Sequence, residues 1–458
     1  MKSFLLIAIS IFVNYTYSGF EQAPESFIVK NKKAVFIDFT KAHYSITYNP
    51  RDKKAYVKTK INFIQFEEGY PLFDLVNRPT KVSINSKEVK AKLIRFPKKV
   101  SKMRMIKKQL MPGNHILEIE SELTRGLKFR QRRRWSSVSS AFFIRDLTDR
   151  KFLEQYIPTN LEFDQFKMTM EVKIINTKRT HSLFVNGAKK EIKKNHYFVE
   201  FPEHYTTSSL YYHLVPINKF VRWYSTYKSI DGREIPFTIY SRYRFYNYFM
   251  RKKARRVLKE LERDYGPWPH DQILIYGRGI KGGMEYSGAT ETSIVSLGHE
   301  LQHAYFAKGL QPANGNTGWL DEAIASWRDE GHKTLKQPFY KKANLGAKSQ
   351  YTRKTDKRSY KYGRSFLGYI DYLLKKEGKK GLKEFLRIFS EKRMHTTITN
   401  SDFKSDLEAY AGRGFDIEFS RYIYGLKDGV KESDDADKNF KDSYHHPQLD
   451  SKSLKSII

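Results

Sequence analysis

Between about residues 40 and 228, apolar and polar positions alternate along the chain. The segments 56–66, 81–96, 115–123 and 166–175 all repeat every second residue, the period of a half-buried strand. Segment 185–201 carries Asn186-Gly187, which predicts a hairpin turn. Many short strands at such spacing predict an antiparallel sandwich or barrel-like sheet. The period changes after about residue 229. Residues 246–266 repeat apolar side chains at helical spacing and end at Gly266-Pro267, and 271–279 reads as a strand. Residues 293–306, 317–332, 362–378 and 381–393 read as amphipathic helices. The pattern predicts an α+β multidomain protein: an antiparallel β-sandwich-like domain over 40–228, an α/β domain over 229–425, and a solvated polar tail over 426–458.

Composition narrows the chemistry. A chain of 458 residues with 40% hydrophobic content is long enough for two or three packed domains and too apolar to be disordered. It has no cysteine, which excludes disulfides, thiolate metal sites and cysteine nucleophiles. Lys2, the apolar run 4–13 and the small residues ahead of Gly19 read as a signal peptide over 1–18. An exported protein, periplasmic or secreted, is therefore expected, with a retained anchor as the alternative. The net charge of +34 favours anionic surroundings such as envelope surfaces. The densest basic cluster, 128–135, has no nucleic-acid fold motif beside it, so specific nucleic-acid binding is not expected. His445 and His446 fall in the polar tail, where adjacent histidines read as solvated.

The sharpest signal is His299-Glu300-Leu301-Gln302-His303. Residues i and i+4 share a helix face, so both imidazoles can reach one divalent ion while Glu300 holds a water on it. A catalytic zinc needs a third protein ligand, and Glu322 in the helix 317–332 supplies a carboxylate after a loop and an antiparallel return; Asp321 is its rival. Upstream, Gly282-Gly283-Met284-Glu285 pairs glycines with an acid. Such glycines let an edge strand approach an extended peptide, with Glu285 near the cleft.

His-Glu-x-x-His, eighteen residues, then Glu322, preceded by Gly-Gly-Met-Glu-Tyr, resembles the aminopeptidase N family of gluzincin zinc peptidases. The resemblance implies a thermolysin-like catalytic domain holding one zinc per chain on His299, His303 and Glu322, with Glu300 as general base. It implies that Gly282, Gly283, Met284 and Glu285 bind substrate, Glu285 taking the free α-amino group. It makes Tyr360 the oxyanion-stabilising tyrosine, with Tyr362 and Tyr351 as neighbouring alternatives, and puts a second amine-binding acid at Asp149. Tyr286 stands where the family usually has asparagine, and Asp-Glu-Ala replaces its usual Asn-Glu-Gly. The likeness runs over roughly 40–425, a short form without the C-terminal helical domain of many relatives.

The expected activity is hydrolysis of the first bond of peptides with free N-termini. An endopeptidase or another hydrolase on the same scaffold, and a noncatalytic cationic envelope-binding protein, are the alternatives.

Overall fold

The structure, a computed structural model, describes residues 23–95, 102–132, 135–142, 153–161, 164–279, 282–313, 315–346 and 357–426. The expected signal peptide, Asp149, Tyr351 and the tail from 427 lie outside the described residues.

The alternating segments build three sheets. The largest has eight strands in the order Ala188–Lys193, His196–Glu200, Lys167–Ile174, Asp38–Asn49, Lys54–Gln65, Gly113–Glu122, Pro79–Ile84 and Lys87–Glu88. Lys54–Gln65 shows why it forms: its odd positions from Ala55 to Gln65 are buried while the even ones face outward. One central pair, Lys167–Ile174 with Asp38–Asn49, is parallel and the other pairs are antiparallel. A four-stranded sheet (Leu127–Arg132, Trp135–Phe142, Tyr212–Pro216, His181–Val185) shares its core, and a five-stranded sheet begins at Phe27.

Asn186-Gly187 does not make the expected hairpin turn. His181–Val185 and Ala188–Lys193 belong to different sheets, and the hairpin closes at Lys194-Asn195 instead. Asn186 is buried. Its amide donates to the carbonyls of Ser209 and Ser287 at 2.6 and 2.7 Å and accepts from the Tyr211 N–H at 2.8 Å. The side chain thus satisfies backbone groups where the two halves of the molecule meet, a demand that outweighs its turn preference.

The second half is built on a five-stranded mixed sheet: Val221–Lys228, Glu234–Ser241, Ile273–Gly277, Ala289–Thr292 and, at the far edge, Gly283–Tyr286. Seven helices are described: α1 (Arg244–Tyr265), α2 (Leu297–Phe306), α3 (Trp319–Asp329), α4 (Arg364–Lys376), α5 (Leu382–Arg393), α6 (Asn400–Ala411) and α7 (Asp416–Tyr422). α1 stops at Gly266, whose φ of 100° no β-carbon residue adopts easily. Leu301, Tyr305, Trp319, Trp327, Phe366 and Phe403 belong to the core that clamps α2 and α3 together. None of the described helices is long and apolar enough to cross a membrane.

Candidate metal and peptide site

α2 is buried on nearly every side, so the two histidines on its inward face are fixed by packing. Their rings stand edge to face with centroids 4.8 Å apart. From α3, which lies alongside, Glu322 points at both: its Oε2 is 3.0 Å from His299 Nε2 and 3.6 Å from His303 Nε2. The ligand atoms of His299, His303 and Glu322 all lie within 4.8 Å of one another. Asp321 turns away, and its Oδ1 accepts the Glu322 backbone N–H at 2.6 Å.

The electrostatics ask for a cation. Burial alone would lower the pKa of His299, yet hydrogen bonds to Asp329 and Glu322 raise it to about 11. His303 rises to about 9, because Glu285 and Glu322 outweigh the burial that opposes its charge. Burial works against the Glu322 carboxylate too, but the two histidines hold it well below the usual carboxylate range. Burial, then the neighbouring Glu285, pushes Glu300 up to about 8. In the metal-free protein, protons on two imidazoles thus neutralise a cluster of carboxylates. A divalent ion would replace them, since it needs neutral histidines and an ionised carboxylate. Two nitrogens and one carboxylate oxygen, with no thiolate, form the donor set of a catalytic zinc centre.

Asp329 was not legible as a site residue. It ends α3 seven residues after Glu322, two turns along the same face, and its Oδ2 lies 2.7 Å from His299 Nδ1. That contact directs His299 Nε2 toward the cleft, the usual task of a carboxylate behind a metal-binding imidazole. Arg328 steadies the region by pairing with Glu260 at 2.9 Å and with Asp329 at 3.3 Å.

Among the described strands, Gly283–Tyr286 lies at the sheet edge and pairs only with Ala289–Thr292. Its residues alternate between two environments. Met284 and Tyr286 sink into the core of the β-rich half, whereas Glu285 faces α2. Gly283 lies against the Glu300 carboxylate, since a β-carbon there would sit 2.5 Å from Glu300 Cδ. Only glycine lets the strand pass so close. Gly282 has a φ of 81°, and its N–H donates to Ser296 Oγ at 3.0 Å. Glu285, Glu300 and His303 offer atoms within 4.8 Å of one another, so the amine-binding candidate and the base candidate are neighbours.

Lys308 was also missed. It is fully buried, donates to the Ser208 carbonyl at 3.0 Å, and approaches Glu285 Oε1 at 4.0 Å. Nothing separates it in the sequence from the other members of a set of 84 Lys and Arg residues.

Tyr360 enters the site from the π-helical turn Ser359–Gly363. Its hydroxyl donates to Glu322 Oε1, and its ring lies parallel to that of His299. Tyr362 goes elsewhere, stacking on Tyr340 with centroids 4.4 Å apart. Gly363 permits the tight packing of this turn, as a β-carbon there would meet Ala323 Cβ at 2.5 Å. The cleft over these groups has a volume of about 830 Å³ and is lined by Gly282, Gly283, His299, Glu300, Asp329 and Tyr360 among others.

No family model matches the sequence, and no curated protein matches it by sequence. Solved structures match in shape. Aminopeptidase A of Legionella pneumophila, solved with aspartic acid, superposes with a TM-score of 0.62 at 13% identity, over 87% of this chain and 51% of its own. An M1 zinc metallopeptidase of Deinococcus radiodurans gives 0.56 at 15% identity over 84% and 92%. Leukotriene A4 hydrolase of Saccharomyces cerevisiae gives 0.57 at 13% identity over 82% and 65%. The chain spans about half the length of the Legionella enzyme. At these identities the likeness is one of fold: an N-terminal β-rich region followed by an α/β region, as in M1 zinc metallopeptidases.

Proposed function

We propose that the protein is an exported zinc-dependent aminopeptidase that removes N-terminal residues from peptides. The observation that carries this reading is the position of Glu285 on an edge strand, within 4.8 Å of Glu300 and His303. His299, His303 and Glu322 would hold the zinc, which supplies Lewis acidity to polarise a carbonyl and acidify a water. Glu300, buried and beside Gly283, takes the proton of the attacking water and returns it to the leaving amine. The Tyr360 hydroxyl donates to the oxyanion that develops at the scissile carbonyl. Glu285 receives the α-ammonium, a cation that offsets the cost of a buried carboxylate. The edge strand offers main-chain groups to the substrate, and Gly283 leaves room for it against Glu300. The likeness to solved M1 peptidases, the expected signal peptide and the absence of cysteine support the same reading.

The test is a panel of free and N-acetylated peptides offered to the zinc-loaded protein. Acetylation should cost about a hundredfold in kcat/KM, roughly 3 kcal/mol for loss of a charge-assisted contact in a closed site. Glu285→Ala should lose most of that discrimination. Equal cleavage of both peptides, or cuts inside the chain, would identify an endopeptidase instead. Absence of turnover on any peptide, with zinc bound, would favour the noncatalytic alternative. For export, N-terminal sequencing of the mature protein should begin near Gly19; Met1 on cytoplasmic protein would refute it.

A further inference from the structure

Helix α1 has two apolar surfaces. Its inner one, with Met250, Ala254, Leu258 and Leu261, is buried in the core of the second half. The other lies at its start and faces outward. Tyr243, Phe245, Tyr248 and Phe249 are 69%, 75%, 53% and 40% exposed. The last three rings form a cluster: the Phe245 and Phe249 centroids are 4.6 Å apart, and those of Tyr248 and Phe249 are 5.3 Å apart. Single exposed aromatics are ordinary, but a contiguous group in mutual contact marks an interaction surface.

The charge around the cluster is one-sided. Residues 235–259 contain eight Lys or Arg and no Asp or Glu. Arg244, Lys252 and Arg256 are exposed, and the Arg251 guanidinium lies over the Tyr248 ring at 5.4 Å. We propose that the start of α1 docks the protein on an anionic phospholipid bilayer. In this arrangement Phe245 and Phe249 enter the headgroup–acyl boundary, and the tyrosine hydroxyls stay at headgroup level. The basic side chains of the following turns then meet lipid phosphates. The edge-to-face packing of the phenylalanines favours lipid over nucleic acid, because it leaves no open row of ring faces on which bases could stack. Lys253 and Arg256 on the same helix line the cleft beside His299 and Glu300, so docking would hold that cleft close to the membrane surface. The proposal does not depend on the peptidase reading.

The test is sedimentation of the full chain with vesicles at low salt. Vesicles of mixed phosphatidylglycerol and phosphatidylcholine should bind it at least tenfold more tightly than phosphatidylcholine alone. F245S/F249S should weaken binding to the anionic vesicles at least tenfold, with an unchanged melting temperature. F245Y/F249Y, which keeps the rings but adds hydroxyls, should fall between the two and guards against a folding defect in the serine variant. R244Q/K252Q should lower the affinity and flatten its salt dependence. Binding of F245S/F249S equal to that of the parent would overturn the proposal, because the cluster would then contribute nothing. Equal affinity for charged and neutral vesicles would overturn it too. So would a dimer that the serine variant dissociates, or duplex DNA bound more tightly than vesicles through the same rings.

Discussion

Two of the buried polar clusters among the described residues respond to burial in opposite ways. In the β-rich half the Tyr48 hydroxyl bonds to Ser140 Oγ and to the Tyr212 hydroxyl, both at 3.0 Å. Nearby, Tyr211 and Tyr240 share a hydrogen bond, and the Tyr240 hydroxyl lies 2.9 Å from His213 Nδ1. Burial pushes all these phenols up and lowers His213 to about 3, so every member is neutral. In the cleft, Glu285, Glu300, Glu322, His299, His303 and Lys308 are packed as closely but include ions that offset one another. A neutral, mutually bonded cluster specifies packing. A charged one whose carboxylates rely on protons for balance is prepared for a cationic ligand.

The comparison breaks most severely at the cleft. Glu300→Gln keeps the size of the side chain but cannot take a proton, so turnover should fall by about three orders of magnitude or more with zinc retained. His303→Ala should abolish both turnover and tight zinc, measured as loss of about one bound ion per chain. Metal analysis beside kinetics separates the two variants.

Tyr360→Phe should retain zinc and lower kcat by about 100-fold or more, the usual effect of deleting an oxyanion donor. An unchanged kcat would leave the phenol as a partner of Glu322 alone.

The two clusters should also respond to pH in opposite senses. Burial lowers His213 to about 3, and burial together with His395 does the same for His204. As pH falls through 6.5 the unfolded chain binds protons first, so stability should decline from pH 6.5 toward 3. The slope is about 1.4 kcal/mol per pH unit for each such histidine. In chelated protein, His303 and His299 act the other way. Their raised values contribute stability fully below pH 6.5, and it is lost as pH rises through about 9 and then about 11. Thermal melts with and without chelator should therefore diverge on the alkaline side. Coincident curves would show that these protons do not hold the metal-free site.

The smallest effect belongs to the neutral cluster. Tyr48→Phe should cost about 1 kcal/mol of stability, the net value of a hydrogen bond, and leave kcat/KM unchanged.

Much of this was written into short-range pattern. Period-two alternation placed Lys54–Gln65 and Lys167–Ile174, helical spacing placed α1 to α5, and the i, i+4 histidines put two imidazoles on one face. These readings succeed because strand and helix periods are set by the backbone of a few consecutive residues. The paired glycines before Glu285 were legible as a place of close backbone approach, which at Gly283 the structure makes to Glu300.

Contacts between distant segments had no such signature. Asn186-Gly187 carried a hairpin sequence, but the structure uses Asn186 to satisfy the carbonyls of Ser209 and Ser287. Asp329 and Lys308 became site residues only when α3 lay along α2 and when Ser208 met the chain a hundred positions away. Sequence by itself determined which residues could bind a metal and which elements would carry them. Tertiary structure decided which charges face each other, because burial and the distance between charges, which set their energies, are properties of packed segments rather than of spacing along the chain.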